Sequence, residues 1–132
     1  MTPLETVHGF VDQINVHDVA GLAALMTPDH RFIDSLGTVM EGRERMREGW
    51  RQYLQMVPDY RIDVQSSFVQ GTEVALLGSA AGTYSRGGQL TPADAWRTPA
   101  AWRALVRNEL VAEWQVYADN EPIRQRMRKA PA

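Results

Sequence analysis

The spacing of apolar residues changes once along this chain, at Pro58, and that change restricts the folds open to it. Upstream the spacing is helical. Leu4, Val7, Val11 and Ile14 share one helical face, and Met46, Trp50, Tyr53, Leu54 and Val57 share another. Downstream the period is two. Tyr60, Ile62, Val64 and Phe68 alternate with Arg61, Asp63 and Gln65, and Ser66 breaks the apolar row. Helices first and a long-stranded sheet afterwards make an α+β domain, in which the sheet must bury its apolar face against the helices. The 132 residues suit one domain spanning 1–132, able to bury roughly two-thirds of its unfolded surface.

Local signals place the elements. Thr2, Pro3 and Glu5 form a capping-box start for the first helix. Asp18 caps a second, carried by Val19, Leu22, Leu25 and Met26, and Thr27-Pro28 ends it. Residues 31–34 form a short strand that closes in the turn Ser35-Leu36-Gly37, and Val39-Met40 is a second extended piece. A helix over 42–56 follows, stopped by Pro58. Strands are predicted at 60–70, 73–84, about 99–107 and 110–118, with turns at Gly71-Thr72 and Asn108-Glu109 and a long loop over 85–98. On the last strand Leu110, Ala112, Trp114, Val116 and Ala118 form an apolar row, backed by the mixed row Val111, Glu113, Gln115 and Tyr117. Such a strand suits a curved sheet covering a core or a cavity.

Composition mainly excludes. Without cysteine there is no disulfide, thiolate metal site or cysteine nucleophile. Fourteen basic residues against 16 acidic ones leave −2, which argues against nucleic acid as a partner. The charge is uneven. Arg124, Arg126, Arg128 and Lys129 against Glu121 give residues 121–132 a local +3, read as a basic C-terminal tail from about 120, a frayed and solvated helix end. No apolar run approaches the roughly 20 residues of a membrane span. No basic segment followed by an apolar one opens the chain, so no membrane partner and a cytoplasmic location are expected. No two histidines have metal-ligand spacing, so no metal is expected. Gly87-Gly88 lacks the lysine-serine and helix of a phosphate loop, and no serine sits in a nucleophile elbow.

Four stretches, in order, cover nearly the whole chain: Leu25-Met26-Thr27-Pro28-Asp29-His30 after the helix pair; Phe32-Ile33-Asp34-Ser35-Leu36-Gly37 with Glu41-Gly42-Arg43-Glu44; Pro58-Asp59-Tyr60-Arg61-Ile62; and Leu110 to Asp119. Together they resemble the nuclear transport factor 2-like superfamily, in particular its SnoaL-like and ketosteroid-isomerase-like branch. That resemblance implies a cystatin-like cone, a curved and mostly antiparallel mixed sheet wrapped around three helices and enclosing a deep apolar pocket. It also implies a hydrophobic small molecule as partner, a homodimer paired through the outer face of the sheet, and no cofactor.

Asp34 is the candidate catalytic residue. Beside Phe32, Ile33 and Leu36 a carboxylate at a pocket wall is desolvated, which makes it a better base near neutral pH. The resemblance places the proton-shuttling aspartate of ketosteroid isomerases at this position. The plainer alternative is that Asp34 accepts the amides of its own turn. The rest of that machinery is missing. Phe10 stands where the resemblance implies the oxyanion tyrosine, about Ala101 where it implies the oxyanion aspartate, and Met26 and Trp50 where it implies supporting tyrosines. Loss of one oxyanion donor costs about 3–4 kcal/mol, so steroid isomerisation itself is not expected. Tyr53, Tyr84 and Arg103 are candidate replacement donors, with core or rim roles as the alternative. Trp114, Val116 and Ala118 are predicted to line the pocket, Trp102 to pack in the core, and Trp96, placed in the long loop, to close the mouth or join a dimer contact. His30 could orient Asp34, and His17 lies in the interhelix turn; surface or turn positions are the alternative for both.

The chain is thus expected to be a SnoaL-like pocket protein, with Asp34 as general base of a cofactor-independent isomerase, cyclase or lyase. The alternatives are a non-catalytic binding or dimerisation module, and a scaffold whose cavity is filled by Trp50 and Trp114.

Overall fold

The computed structural model describes residues 1–128, so Lys129 of the basic tail lies outside the described residues. Helix α1 (Pro3–Asn15) starts in the expected capping box: the Thr2 hydroxyl accepts the Glu5 amide at 3.1 Å and the Glu5 carboxylate accepts the Thr2 amide at 2.9 Å. Helix α2 (Val19–Ala24) starts at Asp18, whose carboxylate accepts the Gly21 amide at 2.9 Å. It ends before Leu25, and the chain turns directly into strand β1 (Met26–Ile33). Thr27-Pro28, expected to end a helix, therefore lies in a strand. The pairing of β1 with its neighbour breaks between Met26 and Arg31, so Pro28 sits where no ladder hydrogen bond is required of it.

Strand β2 (Val39–Glu41) pairs antiparallel with β1, and Gly42 then turns the chain into α3 (Arg43–Met56). Gly42 holds φ at 110°, a conformation that a side chain disfavours. Strands β3 (Arg61–Gln70), β4 (Glu73–Thr83), β5 (Ala95–Arg107) and β6 (Leu110–Ala118) complete the sheet. Its order is β2-β1-β6-β5-β4-β3, with β1 and β6 parallel and every other pair antiparallel. Curvature comes from slips in register. Opposite the shift between Val64 and Ser66 lies Gly78, where a Cβ would stand 1.8 Å from the Asp63 carbonyl oxygen. A second shift, between Leu105 and Val106, turns Val111 into the core.

The expected loop over 85–98 is shorter than the sequence suggested. A single 3-10 turn (Pro92–Asp94) leads into β5 at Ala95, and Trp96 is a strand residue. The basic tail is also more ordered than expected. Glu121–Arg128 form a helix, α4, that packs on β5 and buries Ile123. Its apolar residues, Ile123 and Met127, fall four apart on one face, which is the feature a solvated end lacks. The architecture is α+β, a mostly antiparallel mixed sheet curved around α1 and α3, with Phe10, Ile14, Trp102 and Trp114 among its fully buried side chains.

Candidate functional site

Between α3 and the inner face of the sheet lies a cavity of about 410 Å³. Helix α3 presents Met46, Trp50, Tyr53 and Met56 to it, the inward row of β5 presents Trp96, Thr98, Ala100 and Trp102, and β6 presents Trp114, Val116 and Ala118. The β1–β2 corner adds Phe32, Asp34 and Ser35, and α4 with its lead-in adds Asn120, Arg124 and Met127. The wall is mainly apolar, so each polar group on it stands out. Trp50 and Trp114 line this space without filling it.

Asp34 reaches the cavity at the end of β1 and is half-buried. Its Oδ1 accepts the amides of Leu36 and Thr38, both at 2.9 Å. The turn therefore occupies one carboxylate oxygen, as the plainer reading held. No protein hydrogen bond among the described residues engages Oδ2. Asn120 Nδ2 donates to Ser35 Oγ at 2.7 Å, tying the start of α4 to the corner that carries Asp34.

Tyr53 and Tyr60 meet edge to face with ring centroids 5.1 Å apart. Trp50 packs against both, and Trp96 lies 6.1 Å from Tyr60. Burial pushes both phenols well above the ordinary tyrosine range, with the neighbouring Tyr53 adding to the effect on Tyr60. Both stay protonated and are hydrogen-bond donors at neutral pH. Among the described residues neither hydroxyl has a protein partner, yet neither is sealed from accessible space, so both are open to the cavity they line. The indole N–H groups of Trp50, Trp96, Trp102 and Trp114 differ: they are fully enclosed with no partner among the described residues, so those residues give the wall ring surface and not donors.

Tyr60 was not among the residues singled out by sequence, because it reads as one more apolar position of an alternating strand. It precedes β3 and is fixed from outside the cavity. His17 Nε2 donates to its carbonyl at 2.7 Å, and Asn15 exchanges two hydrogen bonds, 2.8 and 2.9 Å, with the backbone of Ile62. The turn histidine is thus a structural strut. Asp59, one residue earlier, accepts both the amide and the hydroxyl of Thr83 at 2.7 Å. The Asp-Tyr pair after Pro58 is in this way clamped to α1 and to β4.

Several expected positions lie elsewhere. Phe10 and Met26 are fully buried but belong to the core and not to the cavity wall; Phe10 packs on Trp114 at 4.8 Å. Ala101 and Arg103 face outward, because the inward row of β5 holds the even-numbered residues Trp96 to Val106. The inward neighbours of Ala101 are Ala100 and Trp102, so correcting the parity supplies no oxyanion carboxyl. Arg103 is held across the outer face by Glu73 and, at 2.9 Å, by Glu113. Tyr84 lies outside the cavity, beneath the Arg86 guanidinium at 5.3 Å. His30 is fully buried, with Nδ1 donating to the Val111 carbonyl at 2.7 Å, and makes no bond to Asp34. Three or more metal-ligating side chains do not gather anywhere among the described residues, and no helix there is long and apolar enough to cross a membrane.

The same architecture recurs in solved structures. A proposed SnoaL-like polyketide cyclase from Jannaschia sp. CCS1 superposes with a TM-score of 0.82 at 19% identity, over 98% of this chain and 93% of that one. IdmH, a proposed polyketide cyclase from Streptomyces antibioticus, gives 0.79 at 22% identity over 96% and 99%. A protein of ketosteroid isomerase-like fold from Catenulispora acidiphila, solved with trimethylamine, gives 0.74 at 21% over 89% and 86%. At such identities the likeness speaks for the fold alone. No curated protein matches the chain. The profile of the SnoaL-like domain matches residues 7–114, from within α1 to Trp114 in the cavity wall. That span includes the Asp34 corner, the α3 aromatics and Tyr60, and on it the chain belongs to the SnoaL-like domain family.

Proposed function

We propose that the cavity binds an apolar carbonyl compound and catalyses a proton transfer of the isomerase, cyclase or lyase type without a cofactor. One observation carries this reading: a carboxylate with a free oxygen and two unpartnered, protonated phenols line the same mainly apolar cavity. Asp34 Oδ2 takes a proton from the carbon next to the substrate carbonyl. The electron pair of that C–H bond moves onto the carbonyl oxygen, forming an enolate. Tyr60 and Tyr53 hydroxyls donate hydrogen bonds to that oxygen, in place of the donors that the family resemblance implied at Phe10 and about Ala101. The enolate carbon then attacks a second carbonyl in a ring closure, and the oxygen of that carbonyl takes the proton back from Asp34, or the enolate is reprotonated at another carbon by Asp34. Either way the carboxylate is restored.

Desolvation by the tryptophan-rich wall strengthens these interactions in the cavity. Membership of the SnoaL-like domain family is in keeping with such a pocket. The pairing of two copies through the outer sheet face, also proposed, is supported by the exposure there of Phe68, Leu77 and Tyr117.

A thermal-shift screen of bicyclic and tricyclic ketones tests the reading. Stabilising compounds should stabilise wild type and Asp34→Asn alike, and only wild type should turn them over. Turnover that survives Asp34→Asn removes the assignment. Ligands that bind both proteins but are never turned over favour the non-catalytic binding module.

A further inference from the structure

The cavity wall contains a single cationic side chain among the described residues, Arg124 of α4. Among the described residues its one charged contact is a long ion pair with Glu121. The other arginines of this end of the molecule have close partners. Arg86 pairs with Asp94 at 3.0 Å, Arg126 donates to the Ala95 carbonyl at 3.2 Å, and Arg128 holds the Glu121 carboxylate closely. Arg124 meets the same Glu121 only at 3.9 Å, beyond hydrogen-bond length. Among the described residues its guanidinium makes no hydrogen bond, although it presents five donors in a fixed fork. The helix carrying it is anchored on both sides. Asn120 ties its start to Ser35 beside Asp34, and Arg86 binds the Arg126 carbonyl. Arg124 is therefore held at the wall while its head group is left open, partly exposed and partly facing the cavity.

An arginine that only kept α4 in place would use its donors within the fold. We propose that Arg124 is a specificity residue that recognises an anionic group, a carboxylate by geometry, at one end of an otherwise apolar ligand. This rests on the reading of the cavity as a ligand site and narrows its ligand to amphipathic acids. The apolar body lies against Trp50, Trp96 and Trp102, and the acid reaches the rim. Two parallel N–H···O bonds from a guanidinium match a carboxylate, and charge assistance makes them stronger than neutral bonds. The opposite polarity is disfavoured at this rim, because a cationic ligand would bring like charge to Arg124.

Pyrenebutyrate and its uncharged primary amide test the proposal, read by quenching of tryptophan fluorescence in the wild-type protein. The acid should bind about tenfold more tightly than the amide at low salt. The ratio should shrink as ionic strength rises, since the rim is partly exposed. Arg124→Gln should bring the ratio to about one without weakening the amide, and Arg124→Glu should turn the preference toward pyrenebutylamine. Circular dichroism of each variant confirms that α4 and the fold persist. Acid and amide binding equally to wild type would overturn the role of Arg124 and leave the cavity reading standing. A preference for the acid that survives both substitutions would do the same. Failure of all three compounds to bind wild type would overturn both the cavity reading and this inference.

Discussion

Asp34 shows how one side chain can hold a turn and still keep a reactive atom. Oδ1 is engaged by two backbone amides and Oδ2 is not. Asparagine can keep the first function and cannot perform the second. Asp34→Asn should therefore leave thermal stability nearly unchanged while lowering turnover by at least a hundredfold, whereas Asp34→Ala should lower both. His30 makes a different demand. Burial lowers its proton affinity more than the Val111 carbonyl, Asp29 and Glu113 raise it, so it folds neutral. A depressed native pKa means that the unfolded chain binds the extra proton. Stability should thus be full above the ordinary histidine value of 6.5 and fall as pH drops below it, by at most about 1.4 kcal/mol per pH unit. Urea denaturation from about pH 7 to 5 checks this against His30→Asn, in which the slope should flatten.

At the scale of elements, the molecule depends on how α4 and the loop before β5 are joined. Arg86 pairs with the buried Asp94, lies over Tyr84 and binds the Arg126 carbonyl. Arg86→Gln should cost on the order of 2 kcal/mol and raise hydrogen exchange across 121–128 more than in β4 or β5. The β5–β6 hairpin gives a milder case. Asn108 and Glu109 both hold positive φ, at 53° and 62°, the backbone of a two-residue turn in which glycine is favoured second. Glu109→Gly should stabilise by up to about 1 kcal/mol in a thermal melt, since the exposed pair of Glu109 with the N-terminus contributes little. These elements also mark what the sequence could reveal. The capping box, the Asp18 cap, the α3 span and the Asn108-Glu109 turn rest on local chemistry and were readable. The start of β5, the inward parity of Ala100 over Ala101 and the packing of α4 were not. They depend on bulges and on a partner surface, which no window of sequence contains.

Across the whole molecule, the site draws on elements far apart in the chain: a corner of β1, one face of α3, the inner sheet and the last helix. Asp34, Trp50, Tyr53, Trp114, Val116 and Ala118 were legible because the family resemblance or an apolar row placed them. Tyr60 and Arg124 were hidden, one among strand residues and one in a basic tail, since only the closed fold brings them to the same cavity. The outer sheet face remains apolar for a free surface, with Phe68 58% and Leu77 45% exposed. Analytical ultracentrifugation should find a dimer that Leu77→Glu shifts toward monomer while β-sheet content is kept; a monomeric wild type would remove that proposal. The central claim is that Asp34 moves protons inside the cavity, and it can be read without the natural substrate. β-Tetralone is an apolar ketone with acidic protons beside its carbonyl, and their exchange in heavy water is followed by NMR. The wild-type protein should accelerate that exchange well above buffer, and Asp34→Asn should lose at least about a hundredfold of the acceleration. Equal exchange by both proteins, or none by a wild type that binds the ketone, would contradict the account.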